Sequence, residues 1–445
     1  MSVRIRNAAV VATMDSRSSE ITGCDILIEN GRIAGVGRGL PKAEEEIDAD
    51  DCVVTPGLVN THHHLFQNLT RAVPRSQNAL LFDWLRVNYQ IWRELKPEDI
   101  LVSARLGLAE LALSGCTLSS DHLYLYPNGI RLEDTIEAAA DIGIRFHATR
   151  GSMSIGESAG GLPPDFLVEK EDNILDDCIR VVDAFHDPGP GAMVRIGIAP
   201  CSPFSVSREL MRDSALLARD KKVMLHTHLA ENDEDIEYGM AKFGCRPGQF
   251  IEGLGWTGAD VWHAHCVKLD KCEIRLFAET RTGIAHCPNS NCRLGSGIAP
   301  LRRMLDCDVP VGLGVDGSAS NDSGNLLAEA RQAMLLQRVK RGADAMSARE
   351  ALQIATIGGA KVLGRDDVGS IEIGKFADIA IWDLGGIEFA GHWDEIASLV
   401  FCGSRRVRDL LVGGQRIVSE GRLVSFEEEE LVGAHWNCVR RLVGK

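Results

Sequence analysis

Between residues 59 and 316 the chain passes eight times through a short apolar run that ends on polar residues, and the stretches between are of helical composition. The runs end at His64, His122, Arg150, Ser202, Glu231, Val267, Asn289 and Asp316. Segments such as ILVSARLGLAELALSG (100–115), LEDTIEAAADIG (132–143) and NLLAEARQAMLLQRVKRG (325–342) separate them. Eight strand-then-helix units predict an α/β chain folded as a (β/α)8 TIM-like barrel, in which chemistry sits at the C-terminal ends of the strands. The polar residues that close each run are therefore the ones to read for function.

The two ends of the chain have another rhythm. VRIRNAAVVAT, CDILIENGRIAGVG and CVVTPGLVN at the start, and FADIAIWDL and VRDLLVGGQRIVSEGRLV near the end, are β-like runs separated by Asn-Gly, Gly-Gly and Glu-Gly turns. They predict a second, small β-sandwich domain formed by both termini. The expected divisions are 1–58 for its N-terminal part, 59–368 for the barrel, and 369–445 for its C-terminal part with a C-terminal helix. At 445 residues the chain is long enough for both units.

Composition removes several classes of function. A formal charge of −15 gives no footprint for a phosphate backbone, so no nucleic acid polymer is expected as partner. No apolar run approaches the roughly 20 residues that span a bilayer, so no membrane is expected either. The start MSVRIRNAAVVATMD lacks the hydrophobic region and cleavage site of a secretory signal and reads as a strand. Thirteen scattered cysteines form no CxxC pair, which predicts neither a disulfide framework nor a zinc knuckle and fits a reducing cytoplasm.

Residues 60 to 67 read NTHHHLFQ. Side chains alternate along a strand, so His62 and His64 share a face and His63 points away, toward a helix or the sandwich. Taken alone, such a pair is more often a pair of buried histidines bonded to backbone carbonyls than a metal site. VMLHTHLAE repeats the pattern with His226 deeper and His228 nearer the mouth, followed by Glu231, which either approaches the reacting centre or caps the acidic helix start ENDEDIE. VWHAHCVKL places His263 deeper and His265 at the rim, and VPVGLGVDGSASND puts Asp316 after a glycine-spaced strand. Three imidazoles and one carboxylate at one rim suit a divalent metal, zinc or iron(II).

The motifs PGLVNTHHH, HTHLAE, WHAHCV, HCPNSN and GLGVDGSASND resemble the amidohydrolase superfamily, and in particular its aminohydrolase branch of cytosine and guanine deaminase type. The resemblance covers nearly the whole chain. It implies that His62, His64, His228 and Asp316 bind one divalent metal, while Glu231, His265 and Asp316 are catalytic. Binuclear members of the superfamily carry a carboxylated lysine near the fourth strand; VRIGIAPCSPFS has none, so one metal is expected.

The substrate is expected to be a small heterocycle. Gln67 offers an amide to a ring lactam, Arg150 a forked donor to a carbonyl, Trp92 a stacking surface, and His122 a further polar contact at the mouth. Each also has a structural reading: a loop glutamine, a rim salt bridge, a core aromatic and a buried hydrogen bond. Cys201 is read as a small packed residue. The Gly-, Ser- and Pro-rich insertion RGSMSIGESAGGLPPDF (150–166) is expected to be an active-site loop. Several stretches resemble the bacterial 8-oxoguanine deaminases, which implies conversion of 8-oxoguanine to urate and ammonia. Isoxanthopterin, guanine and hydroxytriazines are the alternative substrates, and a catalytically silent interaction module is the alternative of another class. Members of this branch associate, so a homo-oligomer is expected.

Overall fold

The computed structural model describes residues 2–403 and 405–444. Eight parallel strands close into a barrel: β6 (Leu58–Asn60), β7 (Cys116–Leu123), β8 (Arg145–Ser152), β9 (Val194–Pro200), β10 (Met224–Leu229), β11 (Val261–His265), β12 (Gly283–His286) and β13 (Val311–Leu313). The closure pairs Leu313 with Asn60. Helices between the strands pack outside them, as the alternating sequence rhythm predicts.

Several strands end earlier than their apolar runs do. Strand β6 stops at Asn60, and β13 stops at Leu313, so His62, His64 and Asp316 lie beyond the ladder. After β10, at the end of β11 and in the segment after β13 the backbone turns. Ala230, His265 and Asp316 take left-handed φ values of 50°, 70° and 63°, which a continuing strand does not tolerate. At these turns the chain leaves the sheet and its polar side chains swing over the barrel mouth.

The remaining strands belong to the termini. Strands β1 (Ser2–Ala12), β2 (Glu20–Glu29), β3 (Arg32–Gly37), β4 (Glu45–Asp48) and β5 (Cys52–Pro56) join β14 (Ile379–Asp383), β15 (Asp409–Val412), β16 (Gln415–Ser419) and β17 (Arg422–Leu423). They form one continuous nine-stranded sheet, in which β14 pairs with β5 and unites the two ends of the chain. Period-two alternation serves both of its faces. Ile379 and Ile381 enter the sheet's own core with Ile5, Ile26 and Val54, whereas Ala380 and Trp382 join the barrel's core. The expected divisions fall at the start of β6 and in the turn region before β14. The C-terminal helix Glu428–Leu442 packs on barrel helix Pro97–Leu113. No helix among the described residues is long and apolar enough to cross a membrane.

Candidate active site

A cavity opens at the C-terminal ends of the barrel strands. Its floor carries His64, His228, His265, Glu231 and Asp316, and its walls include Gln67, Tyr124, Cys201, Trp84, Phe204 and Leu294. His64 and His265 are buried and His228 is half-buried, and buried His62 packs edge-on against His64.

Hydrogen-bond partners settle which ring nitrogens carry protons. His64 Nδ1 donates to the carbonyl of His122 at 2.7 Å, and His228 Nδ1 to that of Cys201 at 2.7 Å. His226 Nδ1 donates to the Trp262 carbonyl at 3.0 Å, so its Nε2 accepts from His62 Nδ1 at 2.8 Å. Burial holds His62, His64 and His228 below the usual imidazole range, and they are neutral. All three therefore present a bare Nε2.

Those lone pairs converge. His64 Nε2 and His228 Nε2 are 3.0 Å apart, and Asp316 Oδ1 is 3.3 Å from His62 Nε2 and 3.4 Å from His64 Nε2. The carboxylate distances exceed those of a charge-assisted hydrogen bond, about 2.7–2.9 Å. Burial opposes ionisation of Asp316, but contact with His62 and the nearby His265 and His64 outweigh it and hold the carboxyl well below its ordinary range. A cluster of acceptors with no proton to share fits a cation. Three imidazole nitrogens and a carboxylate oxygen are a donor set for a borderline divalent metal.

Asp316 is oriented by three donors. The Ser290 and Ser320 hydroxyls donate to Oδ2 at 2.5 and 2.9 Å, and the Gly317 amide donates to Oδ1 at 2.7 Å. The glycines around it are needed for space. A Cβ at Gly314 would stand 2.8 Å from that of His62, and one at Gly317 would collide with the Gln67 amide.

Glu231 and His265 form the second half of the floor, with His265 Nε2 3.6 Å from Glu231 Oε2 and 3.9 Å from Asp316 Oδ2. Burial lifts the Glu231 carboxyl to about 7, against the pull of His265 and with the push of Asp316. Burial alone would depress His265, yet the charges of Glu231 and Asp316 raise it above its ordinary value. Its Nδ1 donates to Asn291 Oδ1 at 3.0 Å. The helix-capping alternative for Glu231 falls to its neighbour: Asn232 caps helix Asp233–Phe243 by accepting from the Asp235 amide.

Other sequence expectations are placed differently. Gln67 lines the cavity with its Oε1 buried and unpartnered, while its Nε2 reaches Tyr124 at 3.5 Å. Arg150 does not reach the cavity: its guanidinium pairs with Glu169 and Asp177 at 2.8 and 2.7 Å and lies over Tyr126. A buried guanidinium in a barrel strand needs paired counter-charges, and these two half-buried carboxylates hold it away from the mouth. Trp92 is core, packed edge-on against Phe66 and bonded to Thr70 Oγ1, and it is Trp84 of the same helix that faces the cavity. His122 stands among the imidazoles, stacked on His228 at 5.0 Å, with its Nε2 donating to the Ala199 carbonyl. It does not line the cavity.

His63 is fully buried with both ring nitrogens unpartnered and takes no part in the cluster. Cys201 is packed as expected but also lines the cavity, its thiol pushed up to about 12 by burial and so unreactive. The insertion after β8 contributes nothing to the lining. Leu81, Trp84 and Leu85 from helix Leu81–Trp92 cover the mouth instead.

Sequence reasoning named His226 without giving it a role, and missed Ser290, Ser320, Asn291 and Tyr124. His226 shares strand parity with His228, and the serines and Asn291 lie in HCPNSN and GSASND, so the motifs held them without stating their roles.

Comparison with known proteins extends the picture. The amidohydrolase family profile matches residues 53–417. The chain is 43% identical to an 8-oxoguanine deaminase of Pseudomonas aeruginosa, with 94% of each chain covered. It is 38% identical to an isoxanthopterin deaminase of an unknown prokaryotic organism, over 99% of this chain and 97% of that one. A zinc complex of atrazine chlorohydrolase from Arthrobacter aurescens superposes with a TM-score of 0.95 at 37% identity, covering 98% of this chain and 100% of that one. Shared sequence along almost the full length, on a barrel whose mouth gathers histidines from three strands and an aspartate from a fourth, means that this chain belongs to the amidohydrolase family.

Proposed function

We propose that the protein is a hydrolytic deaminase of a free aminated heterocycle and that 8-oxoguanine is its substrate, converted with water to urate and ammonia. The observation that carries the substrate is the 43% identity to an 8-oxoguanine deaminase over 94% of both chains. The reaction class is supported by the geometry of the floor, where a carboxyl near neutrality, an elevated histidine and an ionised aspartate surround one point.

His62, His64, His228 and Asp316 would hold a single divalent cation, zinc in this reading. Such a cation supplies Lewis acidity, lowering the cost of deprotonating water near neutral pH and of placing negative charge on oxygen. Asp316 takes the first proton from the attacking water. Glu231, protonated near neutrality, delivers its proton to the ring nitrogen beside the amino-bearing carbon, which makes that carbon electrophilic. The water oxygen adds there and the carbon becomes tetrahedral.

His265 donates from Nε2 to the oxygen as charge develops on it. Glu231, now ionised, takes the proton of the new C–OH group and passes it to the amino group; the C–N bond breaks as the C=O bond forms, ammonia leaves, and the proton held by Asp316 returns to Glu231. The balance is one water: its oxygen stays on the ring carbon, one proton departs with ammonia, and the other replaces the proton that Glu231 gave up. Gln67 and Tyr124 supply an amide and a phenol at the cavity wall to read a ring lactam. Leu81, Trp84 and Leu85 supply apolar cover for a flat ring.

Ammonia release from 8-oxoguanine, isoxanthopterin, guanine and hydroxyatrazine, measured with zinc-loaded enzyme, tests the reading. The highest kcat/KM is expected for 8-oxoguanine. The relation to an isoxanthopterin deaminase makes that pterin the second candidate, and a higher kcat/KM with it would replace the purine assignment.

A further inference from the structure

Asp316 and His265 are aimed by residues from two separate turns at the barrel mouth, and one side chain outside the cavity joins those turns. Ser290 and Asn291, in helix Pro288–Arg293 after β12, bond Asp316 and His265, while Ser320, in the turn after β13, bonds Asp316 from another side. Glu329, in the first turn of helix Leu326–Arg341, reaches both turns. Its Oε1 accepts from the side-chain amides of Asn289 at 2.6 Å and Asn321 at 2.7 Å, and its Oε2 accepts from the Asn289 backbone amide at 3.2 Å. Asn289 directly precedes Ser290, and Asn321 directly follows Ser320. The Asn321 amide also donates at 2.6 Å to the carbonyl of Val315, one residue ahead of Asp316.

Glu329 is fully buried and does not line the cavity. A carboxyl taken out of water is costly unless its oxygens find donors, and here all three donors come from the two turns. The helix itself does not need it, since Asn325 caps the N-terminus by accepting from the Ala328 amide. Ser290 and Ser320 bond the same Asp316 oxygen from different turns, so a relative shift of the turns breaks one bond or the other.

We propose that Glu329 is a positioning residue: by tying the two turns together it fixes the serines and the asparagine that aim Asp316 and His265. The inference rests on the metal centre and the deaminase reading given above. Glu329 acts two bonds away from the reacting atoms, through residues that touch them.

Chelator competition for zinc and steady-state ammonia release, with whichever of the four heterocycles the parent deaminates fastest, test this on the full-length protein. Burial lifts the Glu329 carboxyl to about 8 against the hydrogen bonds that lower it, so the variant to make is Glu329→Leu, which removes both oxygens in either protonation state. It should bind zinc roughly tenfold more weakly and, at saturating zinc, lose kcat by roughly 10- to 100-fold with KM within about threefold of the parent. Gln337→Leu is the control. Gln337 is buried on the same helix and bonds the Ala299 carbonyl and the Arg302 amide, neither of which bonds Asp316 or His265. Its loss should lower the melting temperature and leave zinc affinity and kcat unchanged.

Asn321→Ala should reproduce the losses of Glu329→Leu, and the double variant should fall well short of the product of the single losses, because both break one shared bond. Parental zinc affinity and kcat in folded Glu329→Leu, equal losses in Gln337→Leu, or losses that multiply in the double variant would each overturn the inference. If Glu329→Leu does not fold, Asn321→Ala, at the half-buried end of the tie, decides by the same zinc and kcat criteria. A parent that neither holds zinc nor releases ammonia would end the deaminase reading and this inference with it, whereas an active parent matched by Glu329→Leu would end only the inference.

Discussion

His64 Nε2 and His228 Nε2 face each other across 3.0 Å, and the Nδ1 proton of each is committed to a backbone carbonyl. Such a contact is repulsive unless a cation lies between. Metal analysis of purified variants should find about one zinc per chain in the parent. Content should fall well below that in His62→Asn, His64→Asn and His228→Asn. His63→Asn should retain it, since His63 lies outside the cluster despite sitting between two of its members. Loss of metal in His63→Asn alone would reverse the assignment of the triple.

Glu231 approaches the centre without being one of the four clustered acceptors. Glu231→Gln keeps the shape and removes the proton exchange. It should hold metal normally and lose turnover by a factor of roughly 10² to 10⁴, read as ammonia release beside metal content. Near-parental rates would remove Glu231 from the mechanism.

His226 fixes the tautomer of His62 by accepting its Nδ1 proton while donating to Trp262. Removing that acceptor frees the ring to rotate and to shift its proton. His226→Leu should weaken metal affinity by roughly 10- to 100-fold in chelator competition, the usual cost of losing such a support. Turnover at saturating zinc should recover in large part, which separates support from direct ligation.

Asp121 is buried beside this histidine layer. One of its oxygens accepts from the Leu65 amide at 2.8 Å and the other has no partner. Burial lifts its carboxyl to about 7, against the hydrogen bonds that hold it down. The unfolded value is about 3.9, so the native state alone binds this proton between the two. Its contribution to stability is therefore full below about pH 4, declines as pH rises toward 7, and is flat above, with a total span of up to about 4 kcal/mol. Asp121→Asn removes the titration. Melting temperatures of parent and variant should diverge from pH 5 to pH 8 in the variant's favour, and parallel curves would show that Asp121 stays ionised.

The barrel was legible because a short apolar run followed by a helical stretch, repeated eight times, has few other ways to bury its apolar faces. The residues of the floor were legible too, since strand parity and position at the end of a run bring His62, His64, His228, Glu231, His265 and Asp316 to one rim. Parity is a property of the local backbone, which is why it can be read from a single strand. What a long side chain touches is not local. Arg150 ends its run like the others, yet Glu169 and Asp177 capture it from a loop and a helix that no spacing rule connects to it. Trp92 and Trp84 sit on one helix, and only the direction in which that helix crosses the mouth makes Trp84 the cavity residue and Trp92 the core one. His226 acquires its role from His62, 164 positions away in the chain. By itself the sequence determined which side chains gather at the barrel mouth. The tertiary structure alone decided which of them face the cavity and which nitrogens keep their protons, because those outcomes depend on partners that only folding brings within hydrogen-bonding distance.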